Sequence, residues 1–146
     1  IAKGEAAFKK CAACHTIAQG GATGIGPNLW ATMGKPHGHV PGFAYSDALK
    51  SISGVWDWEA MDKWLANPKK YAPGTKMTFA GLGNPEERAN LILYLNAQGS
   101  NLPLPPPPAA AEAAAPAADA ATGEDVATPT TDVTQGPAQA ATKQPE

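Results

Sequence analysis

The segment FKKCAACHTI, residues 8–17, holds both cysteines of the chain, Cys11 and Cys14, with His15 beside the second. Two thiols and an imidazole at this spacing can cycle between dithiol and disulfide, hold zinc, or anchor a haem. The order C-x-x-C-H is the attachment signature of c-type haem. Each thiol would add across a vinyl group to form a thioether. Three residues along a helix put both sulfurs on one side, and His15, next in the chain, reaches under the ring as the proximal iron ligand. The rival uses lack support. A redox disulfide would want a βαβ setting, and no alternating strand pattern is present. A zinc site needs a fourth ligand, and the remaining histidines, His37 and His39, stand in a loop dense in Gly and Pro. Haem attachment is the expectation, with a chance match of so short a motif as the remaining alternative.

The sixth iron ligand decides the function. The chain has three methionines, Met33, Met61 and Met77. Met77 lies in YAPGTKMTFAG, a loop stiffened by Pro73 and flanked by Gly74 and Gly81, where a side chain escapes a helix's angular constraint. Met61 falls on a helical stripe with Trp64 and Leu65, and Met33 follows PNLWAT; both suit packing better. Met77 is therefore the expected ligand. A thioether opposite an imidazole stabilises ferrous iron and raises the potential. With both axial positions filled, no site remains for oxygen or substrate, which suits an electron carrier and not an enzyme.

These residues need elements to position them. The pattern over 2–15 reads as a helix with Ala7, Phe8 and Cys11 on one face; Gly4 is a poor helix residue that makes sense where another helix crosses closely. A Gly/Pro-rich loop follows from residue 16 to residue 41. Ser46 is expected to cap a short helix over 46–52. Asp57 is expected to cap a longer one, stopped by Pro68, with Met61, Trp64 and Leu65 on its apolar stripe. The last helix has Asn84 as cap, Pro85 in its first turn, Glu86 and Glu87 at its positive end, and Leu91, Ile92, Tyr94 and Leu95 as its buried face. Gly99 is expected to end it. The fold class is all-α with long loops, wrapped around something that is not protein.

The chain has 146 residues, and all four Trp, three Tyr and three Phe precede residue 95. Residues 1–102 carry ten Lys/Arg and seven Asp/Glu; residues 103–146 carry one Lys and six Asp/Glu. The expected organisation is a mildly basic cofactor domain over 1–102 and a disordered, acidic, Pro/Ala-rich tail over 103–146, too poor in apolar residues to form a core. The PPPP run at 105–108 favours a semi-rigid spacer. A domain of this size gains from a built-in apolar cofactor. The charge is too weak to argue for nucleic acid, and no apolar run approaches the ~20 residues of a membrane span. No signal peptide is visible, and any segment before Ile1 is expected to have been removed.

The stretches KCAACHT, GIGPNLW, PGFAYSDALK, WLANPKKYAPGTKMTFAGL and ERANLILYL together resemble class I cytochrome c, with mitochondrial cytochrome c and its bacterial relatives the nearest in pattern. The resemblance spans nearly all of residues 3–99; the tail has no counterpart in the mitochondrial proteins. It implies the small cytochrome c fold and one covalent haem c, with Cys11 and Cys14 as thioether residues and His15 and Met77 as iron ligands. It implies that the Pro27 carbonyl accepts the proximal Nδ1 proton. Gly4 and Phe8 would meet Leu91 and Tyr94 where the terminal helices cross. Lys35, Tyr45 and Trp56 would stand near the haem propionates, joined by Ser46 and Thr75, and Trp64 near the axial sulfur. Three positions depart from the family pattern: Lys35 replaces an arginine, Trp64 a tyrosine and Leu49 an asparagine. Lysine lacks the planar fork of arginine, so the propionate electrostatics differ.

The resemblance also implies a docking face of Lys10, Lys69, Lys70 and Lys76 around the exposed haem edge, with Phe79 at the contact. The expected partners are acidic surfaces on a cytochrome bc1-type complex and on a terminal oxidase or reaction centre, met by a monomer that touches membranes only through partners or a lost anchor. The expected role is one-electron transport in the bacterial periplasm, with the mitochondrial intermembrane space as the lesser choice. The alternatives are a haem domain of a larger oxidoreductase, or a peroxidase-like haem enzyme in which Met77 detaches.

Overall fold

The computed structural model describes residues 1–106; the expectation for the rest of the tail lies outside the described residues. Five short helices follow in order: α1 (Ala2–Phe8), α2 (Asp47–Lys50), α3 (Trp58–Ala66), α4 (Pro68–Tyr71) and α5 (Pro85–Leu95). Among the described residues the only β pairing is an isolated bridge between Pro36 and Val55. The all-α expectation holds.

The terminal helices cross at Gly4. A Cβ there would stand 2.1 Å from Asn90 O and 2.5 Å from Tyr94 Cβ, so only glycine permits this approach. One turn on, the rings of Phe8 and Tyr94 meet at 5.6 Å between centroids. Lys3 pairs with Glu86 at 3.0 Å and Lys10 with Glu87 at 2.5 Å along the same seam. Leu91, fully buried, heads the face that α5 turns to the interior.

The helix expected over 2–15 is regular only to Phe8. Beyond it the chain tightens into turns, with Cys11 N–H donating to Phe8 O at 2.8 Å and Cys14 N–H to Cys11 O at 3.0 Å. The same carbonyls also accept from residues four apart, Ala12 N–H to Phe8 O at 3.1 Å and His15 N–H to Cys11 O at 2.9 Å, so the helical turn continues in mixed form. Residues three apart on such turns share one side, as Cys11 and Cys14 do.

The caps behave as their chemistry predicts. Ser46 accepts from Leu49 N–H, Asp57 from Ala60 N–H, and Asn84 from both Glu86 and Glu87 N–H. Pro68 stops α3 as expected, but it also begins α4, which the sequence reading did not foresee. Asn67 is extended (φ −159°, ψ 92°) and its side chain accepts from Lys70 N–H, so the residue that ends one helix caps the next. Proline is pre-organised for a first helical turn. At the far end α5 gives way to a widened turn over Asn96–Ser100, where Gly99 takes φ +89°. A Cβ on Gly99 would lie 2.5 Å from the Trp30 ring. The Asn96 amide then grips Leu102 through both its backbone groups, at 3.0 and 2.8 Å, and Trp58 Nε1 donates to Pro103 O at 3.0 Å.

Candidate functional site

The helices and loops enclose a cavity of about 400 Å³, within the usual size of cofactor sites. Its walls come from separate segments between Phe8 and Leu95, and most of that surface is apolar. The 8–15 turn supplies Cys11, Cys14 and His15; the loop after it supplies Pro27, Leu29 and Thr32. Tyr45, Ser46 and Leu49 come from the start of α2, and Trp56, Met61 and Trp64 from α3 and its approach. Thr75, Met77 and Phe79 close it, with Lys10 and Lys76 also in the lining. Lys35, Lys69 and Lys70 are exposed and stand outside it.

His15 is held by its backbone surroundings. Its Nδ1 lies 2.8 Å from Pro27 O. A carbonyl can only accept, so Nδ1 carries the proton and Nε2 keeps a lone pair for a metal. The ring also fills the space beside Gly26, where a Cβ would meet ring atoms at 2.3 to 2.8 Å. A glycine is therefore required for the histidine to stand as it does.

Of the methionines, Met61 and Met77 both line the cavity and Met33 does not. Met61 is almost fully buried within the α3 face, beside Trp64 and Leu65. Met77 is half-buried in a loop, with its N–H donating to Thr75 Oγ1 at 3.3 Å. The Lys76 ammonium ties that loop to the segment before α2 by donating to Ala44 O at 3.1 Å.

Three hydroxyls in the lining share one chemical state. Tyr45 Oη accepts from Val40 N–H, Ser46 Oγ from Leu49 N–H, and Thr75 Oγ1 from Met77 N–H. Each has spent acceptor capacity and keeps a hydroxyl proton to donate. Burial pushes the Tyr45 phenol above its ordinary range, against the Val40 N–H bond that favours the phenolate. It stays a donor at neutral pH. Donors gathered around an apolar slot suit an acceptor-rich ligand end such as a carboxylate.

Behind them lies an aromatic wall. Trp56 lies 5.6 Å from Trp64 and 5.9 Å from Tyr71 between ring centroids. The His37 ring packs against Trp56, tilted, with 4.1 Å between centroids, and has Nδ1 at 3.2 Å from Gly54 O and Nε2 at 2.9 Å from Tyr71 Oη. Both its nitrogens are satisfied, so His37 is structural.

His39 differs and was not foreseen as part of the site. It lines the cavity, and its Nδ1 is buried with no hydrogen-bond partner. Burial pushes its pKa below the ordinary range, opposed by the nearby Pro36 carbonyl and reinforced by repulsion from Lys35. A histidine between Gly and Val gives no local signal of this role.

The rival readings of the cysteines find no support. Cys11 and Cys14 are both free thiols. Burial, then Cys14, push the Cys11 thiol up, against Lys10, which disfavours the thiolate a redox dithiol needs. No group of three or more His, Cys, Asp or Glu among the described residues could hold a metal ion. A haem does fit these residues: the slot is mostly apolar, the thiols and His15 border it, Gly26 leaves room for the His15 ring, and Tyr45, Ser46 and Thr75 line it with hydroxyls.

The family model for cytochrome c matches residues 1–99. A cytochrome c of Chlamydomonas reinhardtii is 51% identical over 96 residues, covering 65% of this chain and 86% of that protein. A cytochrome c homolog of Bradyrhizobium diazoefficiens is 45% identical over 107 residues, covering 72% of this chain. The chain spans only 58% of that relative's length. The solved structure of cytochrome cH from Methylobacterium extorquens matches with a TM-score of 0.61 at 42% identity, covering 66% of this chain and 96% of that one. With cavity, donor set and comparisons in agreement, the chain belongs to the cytochrome c family, electron carriers that hold one covalently attached haem c.

Proposed function

We propose that this chain carries single electrons between a bc1-type donor and a terminal oxidase or photosynthetic reaction centre, in the bacterial periplasm. Cys11 and Cys14 would hold the haem through thioether bonds, and His15 and Met77 would be the ligands of its iron. When bound, the haem supplies a one-electron ferric/ferrous couple. The protein's part is to keep that couple from needing rearrangement. Pro27 holds the His15 ring in one tautomer. Tyr45, Ser46, Thr75 and Trp56 donate toward the carboxylate end, where unpaired buried charge would be costly. Trp64 and Phe79 exclude water from the sulfur side. Lys69, Lys70 and Lys76 offer positive charge to an acidic partner. The cofactor domain is read as residues 1–102, and the acidic composition of 103–146 supports a spacer.

The observation that supports this reading most is the 2.8 Å approach of His15 Nδ1 to Pro27 O beside a cavity that Met77 also lines. The test is the far-red sulfur-to-iron absorption band of the oxidised holoprotein. It is expected in the wild type and in Met61→Leu, and lost in Met77→Ala. A band that survives Met77→Ala, or is absent from the wild type at neutral pH, sinks the ligand assignment and with it the carrier role.

A further inference from the structure

Arg88, early in α5, lies outside the cavity lining, yet its side chain is only 13% exposed. Three parts of the chain meet at its guanidinium. Nη1 donates to Leu82 O at 2.7 Å, and Nε donates to Asp62 Oδ1 on α3 at 2.8 Å. Leu82 is buried and closes the loop that carries Met77. Its N–H donates to Leu65 O at 2.8 Å, so both of its backbone groups are held, one by α3 and the other by Arg88. Beside it, Gly81 passes so near α3 that a Cβ would stand 2.2 Å from Ala66 O.

The other end of the loop is held less firmly. Thr75 N–H donates to Ala72 O at 2.9 Å, and the Lys76 bond to Ala44 O is exposed to water. Thr78, Phe79 and Ala80 form no backbone–backbone hydrogen bond with the described residues. The place of Met77 therefore depends on the anchor at Leu82.

We propose that Arg88 is a positioning residue for Met77: braced by Asp62, it latches the loop at Leu82 and sets how often the methionine leaves the metal position. This rests on the reading of Met77 as an iron ligand.

The chemistry of the bonds favours it. Hydrogen bonds from a guanidinium are charge-assisted, and this one is largely shielded from the water that would otherwise replace a lost acceptor. Were Leu82 O to swing away, Nη1 would be left unpaired in that place. The planar fork of arginine serves a carbonyl and a carboxylate at once, whereas lysine offers a single ammonium. Asp62 is 45% exposed, so its share is screened by solvent and is the smaller one.

The experiment titrates the ferric full-length holoprotein with exogenous imidazole at neutral pH and follows loss of the sulfur-to-iron band. Imidazole binds only where Met77 has left, so its apparent affinity scales with the open fraction. Arg88→Gln should bind it about tenfold more tightly than the wild type. Arg88→Lys should fall between them, and Asp62→Ala should gain roughly twofold to threefold. Gly4→Ala disturbs the α1–α5 crossing and leaves this loop alone, so it should lower Tm without changing imidazole affinity. Hydrogen exchange gives a second reading: the Leu82 amide should exchange faster in Arg88→Gln than in Gly4→Ala. Equal imidazole affinity in Arg88→Gln and wild type, or as large a gain in Gly4→Ala as in Arg88→Gln, overturns the proposal. Should Arg88→Gln not accumulate as holoprotein, an unchanged affinity in Asp62→Ala overturns it as well. If the band is present in the wild type and the affinities are equal, only the latch falls. If the band is absent, the ligand assignment falls first.

Discussion

The His15 ring occupies the space in which a side chain on residue 26 would stand, with Gly26 Cβ positions falling 2.3 Å from His15 Cε1. The same ring is held 2.8 Å from the carbonyl of residue 27. One residue thus makes room and the next one fixes the tautomer.

Gly26→Ala should therefore swing the ring off Pro27 O. Overpacking of this kind costs roughly 1–3 kcal/mol, and here it also misaims Nε2. We expect less covalent haem in the purified protein by pyridine haemochrome, and a lower Tm in what remains. Pro27→Ala keeps the carbonyl and should leave the haem content unchanged. Equal haem content in Gly26→Ala and wild type would contradict this account.

Gly4→Ala sets two effects against each other. Alanine is the better helix former by about 1 kcal/mol. Its Cβ, however, would meet the Asn90 carbonyl at 2.1 Å, and backbone cannot give way as a flexible side chain does. The clash should win, separating α1 from α5 and loosening the Phe8–Tyr94 contact, for a net loss of about 1–3 kcal/mol in denaturant unfolding of the holoprotein. A stabilised variant would show that the two helices do not cross so closely.

The lysines divide by their pairing. Lys10 is already balanced by Glu87, whereas Lys69 and Lys70 sit exposed in the last turn of α4 with no carboxylate partner among the described residues. Lys69→Glu with Lys70→Glu should slow bimolecular electron transfer to an acidic oxidase by about tenfold at low ionic strength. The deficit should shrink once salt shortens the screening length below about 10 Å. Lys10→Gln should change the rate much less. Stopped-flow mixing over a salt series reads both, and an unchanged salt slope in the double variant would remove these lysines from the docking face.

The sequence by itself determined whatever is local along the chain. The Cys11, Cys14 and His15 spacing is complete within five residues, and the Ser46, Asp57 and Asn84 caps each act on an N–H two or three residues ahead. The apolar stripe of α3 follows from helical period alone. Tertiary structure decided what depends on segments far apart meeting. It brought Met61 as well as Met77 to the cavity, left Lys35 outside it, paired Lys10 with Glu87, and buried His39 Nδ1 without a partner. It also ended α1 at Phe8 and let Asn67 and Pro68 start α4. The physical reason is range. Capping and periodicity are satisfied within a turn or two of backbone, whereas burial, ion pairing and the space beside a glycine are set by the approach of other elements.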